Sequence, residues 1–209
     1  MHPTETTGRP ERHHGNRHGR SESARKAVLE AADDLLAERG FAGFTIEGLA
    51  LRAGVSKQTI YRWWKTKTDI LVDTYLDDAA EHLVPPDLGA LDRDLRAHLR
   101  NLVHFLRDSD SGMVLRVLIA QTQHDPAIAT TFRDRCLLPQ RERDRIPLRR
   151  AMIRGELAAE TDIDAALDRL IGPIYYRVLV TGEDIDDRFI DELIEMLLRT
   201  FGSKRGAGS

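Results

Sequence analysis

The stretch Thr45–Lys67, TIEGLALRAGVSKQTIYRWWKTK, decides the fold. It divides into two short helix-forming segments, Ile46–Ala53 and Lys57–Trp63, separated by a tight Ala-Gly-Val turn. Thr45 and Ser56 each stand just ahead of a segment, where a side-chain oxygen satisfies a free backbone N–H. Gly54 suits a turn that needs positive φ, and Val55 supplies a small contact between the segments. Such a pair crosses steeply, so one helix can enter the major groove of a duplex while the other buttresses it. The second helix presents Lys57, Gln58, Thr59 and Arg62, donors and acceptors suited to base edges and phosphates. Gln58 fits adenine, and Lys57 or Arg62 fits guanine. Tyr61, Trp63 and Lys67 are better placed for the phosphate backbone. Lys67 opens a helix, where a cation is unfavourable unless an external anion faces it. Thr45, beside the free N–H groups of its helix start, is a further phosphate contact. Trp64 is expected in the core.

Outward from this stretch the helical period continues in both directions. Upstream, Val28, Leu29, Ala32, Leu35 and Leu36 recur at spacings of three and four, and Gly40 is expected to end that helix. Residues 1–21 are polar and without period and are expected to be a disordered tail. The tail holds His13, His14 and His18, too short a cluster for a metal tract. Downstream, helices are expected over Lys67–Leu83, Asp92–Leu106, Met113–Thr122, from Asp125-Pro126 through Leu138, over Gln140–Glu156, Asp164–Val180 and Asp187–Phe201. Pro85, Pro86, Gly89 and the Gly182 region mark turns. Residues 202–209 are expected to fray. No segment reads as a strand, so the fold class is all-α. The boundaries are a helix-turn-helix domain over 22–66 and a regulatory and dimerisation domain over 67–201.

Composition excludes several functions. Of 209 residues, 41% are hydrophobic and 31% charged, which suits a globular chain. One cysteine, Cys136, excludes an internal disulfide framework and a cysteine-rich zinc module. No run reaches the roughly 18 apolar residues of a membrane span, and the N-terminus lacks the apolar core of a secretory signal. A reducing cytoplasm is the expected compartment. His98 and His104 do not share a helix face as a metal pair, and no phosphate-binding glycine loop or catalytic constellation is found. No metal and no cofactor are expected, and the chain does not read as an enzyme. The net charge of −3 conceals an asymmetry. Residues 1–67 carry 12 basic against 8 acidic side chains, and the remainder 19 against 26. A basic front on an acidic body places the nucleic-acid face at the front. The seven arginines between Arg133 and Arg150 are interleaved with acids and read as a solvated, ion-paired helix face.

Residues 23–72, including ARKAVLEAADDLLAERGFAGFTIEGLALRAGVSKQTIYRWWKTKTDIL, closely resemble the N-terminal domain of the tetracycline-repressor (TetR) family of bacterial transcriptional regulators. The later stretch GELAAETDIDAALDRLIGPIYYRVLVTGEDIDDRFIDELIEMLL resembles the end of an actinobacterial-type C-terminal subclass. The resemblance implies an all-helical homodimer with a three-helix DNA-binding head, a fourth helix linking to the body, and a body that binds ligand and dimerises. It implies phosphate contacts from Thr45, Tyr61 and Lys67 and an exposed recognition turn at Lys57, Gln58 and Thr59. The chain departs from the family at Trp63-Trp64, where His-Phe or Tyr-Phe is common, and at Leu51-Arg52, where a polar pair is common.

Two C-terminal stripes complete the expectations. Leu167, Leu170, Ile171, Ile174 and Val178 form one, and Phe189, Ile190, Leu193, Met196 and Leu197 the other. Two such helices from each subunit make an isologous bundle. Dimerisation also places two recognition helices about 34–36 Å apart, the spacing that reads a palindrome. A small-molecule effector is expected to bind among the helices at 92–106, 111–124 and 164–180, lined by Leu102, Phe105, Met113, Val117, Tyr175 and Tyr176. The partners expected are therefore double-stranded DNA, a second copy of the chain and an effector, with no membrane. The leading function is a ligand-responsive repressor on a palindromic operator. The alternative is a helical ligand-binding or protein-interaction module without specific operator binding.

Overall fold

The computed structural model describes residues 17–203, with side chains from Ser21 onward. Among the described residues ten α-helices occur in chain order: α1 Arg17–Gly43, α2 Ile46–Ala53, α3 Lys57–Trp63, α4 Lys67–His82, α5 Leu91–Asp108, α6 Asp110–Thr122, α7 Pro126–Phe132, α8 Leu138–Arg154, α9 Ile163–Tyr176 and α10 Asp187–Phe201. A π-helical turn, Arg133–Leu137, joins α7 to α8, and a second, Arg177–Thr181, extends α9. The one β contact among the described residues is an isolated antiparallel bridge between Leu157 and Gly202. The all-α class is therefore what the chain forms.

The helices of the head start where the sequence places caps. Thr45 accepts from Gly48 N at 3.1 Å, and Ser56 accepts from Thr59 N at 3.1 Å. Gly54 closes α2 at φ 65°, a left-handed conformation that favours glycine. The start of α4 has a device not foreseen, a capping box. Thr66 Oγ1 accepts from Asp69 N at 3.1 Å while Asp69 accepts from Thr66 N at 3.0 Å. Val28, Ala32, Leu35, Leu36, Phe44, Leu49 and Ile60 fill the core beneath these helices.

Four expected boundaries are corrected. Helix α1 begins at Arg17, so residues 17–21 are helical and not tail. Intrahelical hydrogen bonds can continue past the last apolar turn, which the apolar period does not report. The rest of the tail, with His13 and His14, lies outside the described residues. Gly40 leaves the helix at φ 61°, ψ −178°, but one more turn, through Gly43, lies beyond the kink. At the other end Gly202 and Ser203 are held, Ala158 N donating to Phe201 O at 3.1 Å and Ser203 N to Glu156 O at 2.9 Å. The expected gap between Leu138 and Gln140 is also closed. Pro139 cannot donate to a carbonyl in the preceding turn, and the chain widens into a π turn there and continues as α8.

Head and body meet through α1, α4 and α6. One carboxylate, Asp73 on α4, ties them together. It accepts from the Trp64 indole N–H at 2.9 Å, from Arg25 of α1 at 3.0 Å, and from Arg135 of the π turn at 2.5 Å. Burial pushes its carboxyl up, but the bonds from Trp64, Arg25 and Arg135 outweigh this and hold it below the ordinary range. Trp64 is thereby buried, as expected of it.

A second carboxylate on the same seam is unpaired. Asp33 of α1 has a buried Oδ1 with no hydrogen-bond partner. Burial, then the charges of Asp78, Asp110, Asp34 and Asp77, push its carboxyl up to about 7. An unfolded chain releases that proton near pH 4, at roughly the ordinary aspartate value. Between these values the folded chain holds a proton that the unfolded chain has lost. Stability is therefore full at low pH, falls as pH rises from about 4 to about 7, and stays reduced above that. Asp33→Asn is expected to melt at a higher temperature than the parent at pH 8. The difference should shrink towards pH 5, and thermal melts followed by circular dichroism across this range check it.

Candidate nucleic-acid interface and body cavity

The outward face of α3 carries Gln58, Tyr61 and Arg62, all exposed. Together with Thr59 they line one shallow recess on the surface. None of the three has a carboxylate partner among the described residues. Arg62 instead lies over the Trp63 ring, 4.9 Å from guanidinium carbon to centroid. Trp63 in turn packs edge-on to Trp64 at 5.4 Å, so the Trp pair anchors the guanidinium to the core. Lys67 is half-buried, with Nζ 3.8 Å from the Phe41 ring centroid. This cation–π contact supports the ammonium without neutralising it, which keeps the charge available to a phosphate.

Four of the sequence-assigned residues are already engaged. Ser56 and Thr59 share a hydroxyl–hydroxyl bond at 2.9 Å, and Thr59 is half-buried. Lys57 Nζ donates to Glu47 at 2.9 Å. That bond holds the Glu47 carboxyl below its ordinary range and raises the Lys57 ammonium. Thr45 accepts its capping bond and keeps a hydroxyl hydrogen to donate. Leu51, one of the two departures from the family pattern, is 86% exposed on α2, and Arg52 beside it pairs with Glu38 at 2.5 Å.

The arginines of the body contrast with those of α3. Arg133 pairs with Asp134, Arg135 with Asp73, Arg141 with Asp164 and Asp168, Arg145 with Asp164, Arg149 with Glu142 and Arg150 with Asp87. Arg143 donates to the Gln140 side-chain carbonyl at 2.9 and 2.6 Å. Six of the seven are thus ion-paired within the chain, and Arg143 is held by a neutral amide.

The body carries a cavity of about 500 Å³ that opens to the surface. Its lining includes Tyr75 of α4, Leu115 and Ile119 of α6, Phe132 of α7, Gln140 and Asp144 of α8, and Ile171 and Tyr175 of α9. Of the six residues expected there, Tyr175 alone lines it. Met113 and Val117 sit two residues before Leu115 and Ile119, about 200° round the same helix. Tyr176 is one residue past Tyr175 and is 58% exposed. Leu102 is buried in the core, and Phe105 borders a separate recess beside His82 and His104. Asp144 and Gln140 were missed because a charged, arginine-rich segment gives no apolar signal of facing inward.

Much of the expected dimer stripe is packed inside the single chain. Leu167, Leu170, Ile174, Ile190, Leu193 and Leu197 are buried within the single chain. Helix α10 packs on α5 and α9, and α9 packs on α8, so these helices cover the stripes. Arg96 to Asp191 at 2.7 Å and Arg100 to Asp187 at 2.6 Å fasten α5 to α10. Ile171 lines the cavity, Val178 is half-buried, and Phe189 lies under the Arg177 guanidinium at 3.6 Å. Of the ten, Met196 is exposed, at 48%, and Val180 and Tyr176 are exposed near the end of α9. Cys136 is buried, and burial pushes its thiol up to about 12. That leaves it an inert core residue.

A capped helix pair with an open polar face, linked through a fourth helix to an all-α body with a cavity, defines a helix-turn-helix regulator. Residues 28–74 match the profile of bacterial regulatory proteins, tetR family, and residues 85–197 that of the tetracyclin repressor-like C-terminal domain. The HTH-type transcriptional regulator YdeS of Bacillus subtilis is 39% identical over 84% of this chain and 88% of its own. The DNA-binding transcriptional repressor TetR of Mycobacteroides abscessus is 29% identical over 86% and 94%. The crystal structure of the TetR family regulator SCO0332 superposes with a TM-score of 0.74, at 34% identity over 85% of this chain and 97% of the other. The chain belongs to the TetR family of DNA-binding transcriptional regulators. Among its described residues no helix is long and apolar enough to cross a membrane.

Two substitutions test the charges of this face. Glu47→Gln frees Lys57 and removes a like charge from the DNA side. It is expected to tighten duplex binding about two- to threefold at low salt, the gain fading as salt screens it. Lys67→Ala is expected to lower the slope of log affinity against log salt by about one. Fluorescence anisotropy of a labelled duplex at several salt concentrations measures both.

Proposed function

We propose that the chain is a ligand-responsive repressor that binds a palindromic operator as a homodimer. The observation that carries this reading is the contrast between α3 and α8. The α3 face keeps Gln58, Tyr61 and Arg62 exposed and free of carboxylates, whereas every arginine of the run from Arg133 to Arg150 is satisfied by the chain itself. Gln58 and Arg62 read bases, Lys57 joins them by exchanging Glu47 for DNA, and Thr45, Tyr61, Trp63 and Lys67 hold phosphates. Ser56 and Thr59 fix the first turn of α3 so that these side chains enter the groove in register.

One seven-residue recognition helix makes few contacts, and two of them related by a two-fold axis supply the affinity of a typical operator. The second copy pairs along α9 and α10, where Tyr176, Val180 and Met196 remain outside the core. An effector in the cavity bears on Phe132, just before the π turn, and on Leu137, its last residue; Arg135 of that turn grips Asp73. Displacing that turn would shift the Asp73 clamp on Trp64 and so the setting of α3, a population shift between two head positions.

Selection from random duplexes tests the operator. A palindrome is expected, and Gln58→Ala should relax preference at one base in each half-site; an enriched pool without two-fold symmetry would sink the reading. Met196→Glu is expected to convert the dimer to monomer in sedimentation velocity and to weaken operator binding at least about tenfold, since two half-sites then bind separately.

A further inference from the structure

The polar end of the body cavity is unusual in its charge. Asp144 is only 5% exposed, and its Oδ1 takes both of its hydrogen bonds. His98 Nε2 lies 2.9 Å away, and Gln140 Nε2 donates at 2.7 Å. Its other oxygen receives no hydrogen bond from the described residues. No lysine or arginine among them pairs with it either. Arg143 stops at the Gln140 carbonyl, and Arg141, the basic residue of the cavity wall, is spent on Asp164 at 3.0 Å and Asp168 at 2.7 Å. The His98 ring meets Asp144 through Nε2 alone, and its buried Nδ1 has no hydrogen-bond partner among the described residues. A buried carboxylate without a cation is costly. Beside it the Tyr75 and Tyr175 side chains line the same space, and neither hydroxyl hydrogen-bonds to a described residue.

Resting on the reading that this cavity receives the effector, we infer that the ligand is an apolar, ring-bearing organic amine whose protonated nitrogen docks on Asp144. The ammonium supplies the charge that the chain withholds and donates to the free carboxylate oxygen. Tyr75, Tyr175 and Phe132 give it aromatic neighbours, which favour a cation. Leu115, Ile119 and Ile171 take the apolar body. A carboxylate ligand would meet an unneutralised acid and no free base. The site therefore selects against fatty acids and other organic anions, and against neutral isosteres that leave Asp144 uncompensated.

Isothermal titration of the full-length protein at neutral pH with naphthyl-ethylamine, naphthyl-ethanol and naphthyl-acetate tests the assignment. The amine is expected to bind at least about tenfold more tightly than either of the others, the margin of a charge-assisted hydrogen bond. Asp144→Asn, checked for native helicity, should erase that margin, and Leu115→Trp should block all three probes by filling the cavity. Equal or tighter binding of the alcohol or the carboxylate by the unaltered protein would overturn the inference without relying on any variant. Failure of all three to bind would overturn it too, as would a margin that persists in a folded Asp144→Asn. A labelled duplex in the same samples separates the two readings. Amine binding that leaves the duplex bound would defeat the effector role while leaving the Asp144 assignment intact.

Discussion

The structure depends on one carboxylate. Asp73 receives the indole of Trp64, the guanidinium of Arg25 and the guanidinium of Arg135, from three separate parts of the chain. Remove it and two cations lose their counter-charge, while the buried indole N–H loses its acceptor. The short α3 helix has little packing of its own, since Ile60 is its one buried residue. Its position is set from its C-terminal side, by Trp64 anchored to Asp73 and by the capping box that starts α4 two residues later. Helix α3 is thus held from behind, by a polar clamp, and its outward side chains Gln58, Tyr61 and Arg62 are left exposed.

The same clamp gives the body a route to the head. Arg135 leaves the π turn between α7 and α8, and Phe132 just before that turn and Leu137 at its end belong to the cavity wall. Pro139 has no N–H for the carbonyl one turn back, and the chain there runs as a widened π turn from which Arg135 reaches Asp73. Asp33, on the same seam, faces other carboxylates and works against the joint at neutral pH. A seam held by one clamp and loosened by one unpaired acid is suited to two positions of similar free energy.

Much of this was legible in the sequence. The caps Thr45 and Ser56, the helix start at Asp125-Pro126, the turn at Gly54 and the burial of Trp64 arise from local chemistry, which acts over a few residues. The ion-paired character of the arginine run was legible too, because the acids that answer it are close in sequence or expected on neighbouring helices. What was not legible depends on long-range pairing. Asp73 looked like any polar residue on a helix face, and nothing local marks that Arg25 and Arg135 converge on it. Asp144 lies in a charged segment whose inward side is set by Pro147, Leu148 and the helices around it. The C-terminal stripes were read as apolar correctly, but a stripe does not say whether its own chain or a second copy covers it. Here α5, α8 and the pairing of α9 with α10 cover most of it. Met113, Val117 and Tyr176 are one or two residues out of phase with the cavity wall, enough to turn a side chain to another face of its helix, while Leu102 and Phe105 belong to α5, which does not line the cavity.

The central claim is that Asp73 joins the recognition helix to the cavity wall. Amide hydrogen exchange of the full-length protein, compared with Asp73→Asn, tests it most directly. The account predicts faster exchange both in residues 57–67 and in residues 133–137, on the two sides of the clamp, with the core of α10 unchanged. Acceleration confined to the turns of α4 next to residue 73, with α3 and the π turn protected as before, would contradict it.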